Sequence, residues 1–167
     1  MEMKKILIVA LCLGLGLSMP VIVSAQEKEG HIDLRSVAEM EQEVVNEKGE
    51  AEVVRVPAQK VLPGAEVIFT TFYENTSGEK ADNVVITNPV PEHMNYTGGS
   101  AAGAGAAITF SVDGGNNYDT PENLKVKDTD GKERIAEPSE YTHIRWVLSR
   151  SIQPGEGGEV VFRAILQ

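Results

Sequence analysis

PGAEVIFTTFYENTSGEKADNVVITNPVPEHMNYTGGS, residues 63–100, is the stretch whose reading decides the fold. Pro63-Gly64 punctuates the chain. From Ala65 the side chains then alternate, with Val67, Phe69, Thr71 and Tyr73 on one face and Glu66, Ile68, Thr70 and Phe72 on the other, which is the period of a β-strand. Asn75-Thr76-Ser77-Gly78-Glu79 has the composition of a turn. Val84 and Ile86 resume the alternation until Asn88-Pro89-Val90-Pro91 ends it, because each proline removes a ladder donor. The corner leads into a third strand near Met94 and Tyr96.

Toward the C-terminus the same grammar repeats. Residues 108–112 read as a short strand closed by the tight turn Asp113-Gly114-Gly115. Residues 122–126 read as another, followed by a polar loop over 127–133. In 141–148 (YTHIRWVL), Ile144, Trp146 and Leu148 alternate with His143, Arg145 and Val147. A Gly- and Pro-rich turn at 153–158 precedes a last strand, where Val160, Phe162, Ala164 and Leu166 share one face. Residues 98–107 (GGSAAGAGAA) are too small to bury an apolar face and read as a flexible connection. Short strands at this spacing, broken by Gly, Pro and Asn, predict an all-β protein, an antiparallel β-sandwich.

Before Pro63 the pattern is less decided. Val37, Met40 and Val44 fit a helical stripe, while Leu34, Val44 and Val45 fit strands. Residues 47–50 are a turn and 51–57 are rich in β-branched side chains, so a hairpin of 37–46 with 51–57 is the preferred reading. Lys4 and Lys5, the apolar run 6–17, the break at Ser18-Met19-Pro20 and the short side chains of Val23-Ser24-Ala25 compose a secretory signal peptide over residues 1–25, cut before Gln26. The apolar run is shorter than the ~20 residues of a membrane span, so no span is expected after cleavage. The expected organisation is therefore a leader (1–25), an N-terminal strand-rich extension (26–60) and one sandwich domain (61–167).

The 167-residue chain carries a formal net charge of −10. That excludes sequence-independent nucleic-acid binding, which needs clustered Lys and Arg to displace counterions, and docking on anionic lipid. The single cysteine, Cys12, lies in the leader, so neither a disulfide nor a thiolate metal site is expected in the exported chain. Location is expected to be extracytoplasmic: periplasm, cell surface or medium.

Pro-Gly-x-x-Val-x-Phe (63–69), Tyr73-Glu74-Asn75-Thr76, Ala81-x-Asn83-Val84-Val85-Ile86-Thr87, Pro91, Met94-x-Tyr96 and Gly99-Ser100 together resemble a bacterial surface repeat, the Ig-like conserved domain of unknown function numbered eleven. Trp146-Val147-Leu148, Ile152-x-Pro154-Gly155-Glu156 and Val160-x-Phe162 resemble its final two strands. The resemblance covers about residues 61–167, in one copy. It implies an Ig-like sandwich in a bacterial envelope or secreted protein with a non-enzymatic role.

Residue chemistry points the same way. His31, His93 and His143 have no metal-ligand or catalytic spacing, and no serine sits in a G-x-S-x-G elbow. Asp113 with Asp119, and Asp128 with Asp130, offer oxygens of the kind calcium uses, without the twelve-residue loop pattern. Ser111-x-Asp113-x-Gly115-x-Asn117-Tyr118 also resembles the Asp-box hairpin of sialidase-type propellers, where the aspartate and serine tie down a turn above an aromatic ring. Lys60, Lys80 and Lys125 lie near turns or strand edges, which disfavours an intramolecular isopeptide bond. Trp146, flanked by Ile144 and Leu148, reads as core.

No cofactor and no catalysis are expected. The preferred function is a secreted structural or interaction module that associates through sheet edges or loops with itself or another surface protein, with the extension as the associating part. The alternative is a calcium- or glycan-binding module using loops 98–107 and 113–133.

Overall fold

The computed structural model describes residues 32–167; the expected leader, and residues 26–31 after it, lie outside the described part. In chain order the strands are β1 (Ile32–Val45), β2 (Ala51–Pro57), β3 (Glu66–Asn75), β4 (Val85–Pro89), β5 (Met94–Tyr96), β6 (Ala102–Gly103), β7 (Ala106–Ser111), β8 (Lys125–Lys127), β9 (Glu133–Ile135), β10 (His143–Leu148) and β11 (Gly157–Leu166). The first sheet has the order β2-β1-β3-β11-β5, with β6 also on β11; the second is β4-β10-β7; β8 and β9 form a separate ribbon. Every pairing is antiparallel. The only helical element among the described residues is a 3-10 turn at Pro138–Glu140. The protein is an antiparallel β-sandwich, as the strand spacing predicts.

One topological detail separates it from the immunoglobulin constant type, whose last strand joins the sheet of the penultimate one. Here the last strand, β11, lies between β3 and β5, on the sheet opposite β10.

Alternation produces the core. Tyr73, Val160, Phe162, Ala164 and Tyr96 of the first sheet pack on Ile86, Phe110, Ile144, Trp146 and Leu148 of the second. Trp146 is fully buried, as its apolar flanks predict. Its ring lies 6.4 Å from Phe162, which stacks on Phe69 at 4.9 Å. A second cluster sets Tyr96 5.3 Å from Phe110 and Phe110 4.8 Å from Tyr141. Such pairs add about 0.5–1.5 kcal/mol each beyond area burial.

The turn after β3 is held by one side chain. Asn75 is fully buried, and its amide donates to the carbonyls of Glu79 (2.7 Å) and Ile152 (2.9 Å). Its side-chain oxygen accepts from the Ser77 backbone (3.0 Å). A turn composition in sequence is thus also an inter-strand clamp.

Three expectations need correcting. Residues 98–107 are not a loose connection: β6 pairs with β11 and β7 begins at Ala106. Their small side chains serve close approach, since a Cβ on Gly103 would lie 3.0 Å from both Trp146 Cδ1 and Val160 Cγ1. The strand expected over 122–126 starts only at Lys125, where its ladder with β9 begins, so part of the expected 127–133 loop is paired too. Finally β1 starts at Ile32, five residues before the expected 37, because β3 offers it a partner as far as Asn75. A helix over 33–46 is excluded by that ladder together with the one that β1 makes to β2 over 39–45.

Gly103→Val should cost about 1–3 kcal/mol through overpacking against Trp146. A chemical denaturation midpoint equal to the parent's would contradict this account of the small-residue segment.

Candidate functional site

The elements left over once the core is satisfied are β1 and β2. β1 is long enough to serve two partners: residues 32–39 pair with β3 on one edge, and residues 39–45 pair with β2 on the other. Beyond Glu66 and Ile165 the sheet ends, but the β1–β2 hairpin runs on. Its last four residue pairs, Gln42↔Val54 to Val45↔Ala51, therefore project about 13 Å past the sandwich. Asn46 closes the hairpin, its side-chain oxygen accepting from the backbone N–H groups of Lys48 and Glu50, both at 3.0 Å.

The arm's root is fixed electrostatically. Arg163 of β11 donates to Glu41 of β1 (2.8 Å) and to Glu66 of β3 (2.9 Å). The hydrogen bonds to Glu41 and then Glu66 raise the Arg163 pKa, and the Arg163 bond lowers that of Glu41. Arg163 stands opposite Ile68 in the ladder. On this outward face Ile68 is 1% exposed and Thr70 2%. They lie between Val37 and Glu39 of β1 on one side and Val161 and Arg163 of β11 on the other. Long flanking side chains cover apolar surface while their charged ends stay wet.

Two surfaces of this region lack cover from the described residues. One is the arm. Met40, Gln42, Val44, Glu52, Val54 and Val56 share one face of it, and Glu41, Glu43, Val45, Ala51, Val53 and Arg55 share the other. Val45 is 72% exposed and Val53 63%. The other is the flank beneath β1. Asn88 of β4 donates to Thr71 of β3 (2.8 Å), so β4 lies under β3. β4 is the edge of the three-stranded sheet, so no strand of that sheet lies under β1. Leu34 there is 58% exposed, and Ser36 and Ala38 are exposed as well. Ser36 and Thr71 share a hydrogen bond of 2.9 Å. A pocket of about 300 Å³ lies between Ala38, Phe69 and Pro91 on this flank, whereas a groove of about 840 Å³ at the Leu34 end is lined chiefly from the outward face, by Arg35, Phe72 and Glu159.

The acidic turns are occupied by their own chain. Asp113 accepts from Ser111 Oγ (2.7 Å), Asn117 Nδ2 (2.7 Å) and the backbone of Asn116 and Asn117. The Asn117 bonds, then the Ser111 bond, hold its carboxyl well below the usual range. Nearby, Tyr118 stacks 3.5 Å under the Arg145 guanidinium. Asp119 accepts from Thr120 N–H (2.7 Å) and Asn123 Nδ2 (3.0 Å). Asp113 and Asp119 do border one depression of about 400 Å³, but Lys125 borders it too. Asp128 accepts from the backbone of Asp130 (3.0 Å) and Lys132 (2.8 Å) at the tip of the β8–β9 ribbon, and the exposed Asp130 stands beside it. No group of three or more metal-ligating side chains exists among the described residues. These turns use carboxylates to satisfy backbone donors, as turn aspartates commonly do.

The remaining candidates disperse. His93 sits in the proline corner at φ 63°, and the His143 ring shares a hydrogen bond with Thr142 Oγ1 (3.2 Å) beside Gly115. Lys80 pairs with Asp82 and Lys125 with Glu133, both lysines well exposed. No helix among the described residues is long and apolar enough to cross a membrane. Compared with protein-family models, curated proteins and solved structures, the chain matches none.

Sequence reasoning singles out the extension but misses the flank. The signal that was available is Pro89, a proline typical of an edge strand.

Two outcomes follow from the bonded carboxylates. Arg134 and the Glu137 N–H hold Glu140 at about 2, below its ordinary 4.5, so its contribution is complete above about pH 4.5 and is lost as pH falls toward about 2. Glu140→Gln should flatten the melting temperature against pH within that window; an unchanged slope contradicts the pairing. Asp113→Ala should lower the melting temperature, and millimolar calcium should leave that of the parent unmoved. A calcium-dependent rise would restore the metal reading.

Proposed function

We propose that this protein is a non-catalytic structural and interaction module of the bacterial envelope, exported by its N-terminal leader and associating through sheet edges. The observation that carries the reading is the β1–β2 arm, which projects past the sandwich with apolar side chains on both faces. An isolated two-stranded hairpin is marginally stable in water. A ribbon of this kind gains by adding itself to a further sheet, and main-chain hydrogen bonds supply the affinity in such β-augmentation. The leader reading, the resemblance to a bacterial surface repeat and the net charge of −10 are consistent with an extracytoplasmic chain kept soluble by its charge. The engaged carboxylates and dispersed histidines support a role without catalysis.

Light scattering on the exported protein should give a molar mass above that of one chain. The double variant Val45→Glu/Val53→Glu, at two already exposed positions, should return it to one chain that keeps the parent's circular-dichroism spectrum and melts cooperatively. Association unaffected by that variant overturns the reading.

A further inference from the structure

Resting on that reading, we propose that the arm of one copy inserts into the flank of a second copy, where its strand β2 extends the three-stranded sheet beside β4 and lies beneath β1. The association is then arm into flank, each copy offering both halves.

The backbone decides which edges can meet. Leu148 N–H donates to the Val84 carbonyl and Val90 N–H to the Thr142 carbonyl. Because hydrogen-bonded pairs recur every second residue in an antiparallel ladder, even-numbered residues of β4 face β10. Val85 and Thr87 therefore turn N–H and C=O to the open edge, and Pro89 turns only its C=O. In the arm, Asn46 N–H donates to the Glu50 carbonyl and Ala58 N–H to the Ala38 carbonyl. The same parity leaves Ala51, Val53 and Arg55 facing the open edge of β2.

Joining those edges fixes the faces. Val85 and Thr87 lie on the outer face of their sheet, since Ile86 points into the core. Val53 must then lie on that outer face too, and of the projecting pairs Gln42, Val44, Glu52 and Val54 turn inward beneath Leu34 and Ala38. Val44 and Val54 then meet the apolar part of the flank, and Gln42 and Glu52 its polar part, with no side chain needing to change face. With β2 antiparallel to β4, the register that sets Val53 opposite Thr87 also sets Glu52 beside Asn88, near Ser36, the polar part of the flank.

Shape and charge select the arm over other parts of a second copy. Two copies cannot pair β4 with β4 in the same plane, because β1 overhangs the space that the neighbour's β3 would occupy. Only a thin ribbon enters, and among the described residues the arm is the ribbon with free edges and a matching length, four projecting pairs against the five residues of β4. Strands β4, β10 and β7 contain Arg145 and His143 but no carboxylate, whereas residues 41–55 contain five glutamates against Lys48 and Arg55. Because arm and flank are different surfaces of one chain, the contact is heterologous and leads to rings or open filaments.

The test uses the exported protein, cut before Gln26 and therefore without Cys12, so that the only thiols are those introduced. Paired Val53→Cys and Thr87→Cys should form intermolecular disulfides under mild oxidation, giving a ladder of multimers on non-reducing gels; opposed residues in an antiparallel pair lie within disulfide reach. Ala51→Cys and Arg55→Cys with Thr87→Cys cover the neighbouring registers. Separately, Thr87→Pro removes only an outward N–H, and Leu34→Glu charges the flank at an exposed site. Each should lower the weight-average mass to that of one chain while keeping the parent's circular-dichroism spectrum and a cooperative melt. Disulfide ladders together with monomeric Leu34→Glu support the proposal. If Val45→Glu/Val53→Glu dissociates the assembly while all three cysteine pairs stay monomeric and Leu34→Glu stays assembled, the arm has another receptor and the flank is overturned. If the arm variant itself has no effect, the function proposed above falls as well.

Discussion

The two sheets are held together along one aromatic column, Phe69 on Phe162 and Phe162 against Trp146, and the rest of the molecule is arranged to protect it. Trp146 is the widest side chain in the interior, so the segment above it has to be thin. Gly103 meets that need, and β6 can then pair with β11 directly beside the indole. Close packing leaves little tolerance at that point, which is why a run of alanines and glycines becomes part of the wall instead of a tether.

Placing β11 between β3 and β5 has a further consequence. The first sheet gains a central strand, with β1 attached outside β3, while the second keeps three strands. The sheets are unequal in width on the β1 side, and alternation then works against the chain: Leu34, Ser36 and Ala38 face inward with no strand opposite among the described residues. Arg163 compensates on the outward face, where its bonds to Glu41 and Glu66 tie β1, β3 and β11 together at the point where the arm departs. A stiff root makes the projecting hairpin an arm with a direction. The proposed association follows from that asymmetry, since the arm is the apolar ribbon and the flank the missing layer.

The carboxylates show what short acidic turns do with their oxygens. Asp113, Asp119 and Asp128 offer oxygens of the kind calcium uses without its loop pattern, and each is turned back on its own loop to accept backbone N–H groups. A turn must satisfy those donors before it can hold a cation, and a sequence lists the oxygens without saying which donors reach them. The serine and aspartate at 111 and 113, which the resemblance to an Asp-box hairpin implies are a turn clasp, do act as one.

By itself the sequence determined the sandwich, the alternating core residues from Val67 to Phe162 and the 47–50 turn, because period-two patterning and turn chemistry act over a few residues and leave a direct mark. It also made a hairpin the better reading of 33–57, though the helical stripe of Val37, Met40 and Val44 competed until β3 supplied a ladder. Only the tertiary structure decided that β11 sits beside β3, that the 98–107 segment lies against Trp146, and that β1 overhangs an open edge. Those depend on which strands meet across tens of residues. The period that marks a strand says nothing about its neighbour, nor about whether a second layer is there to cover it.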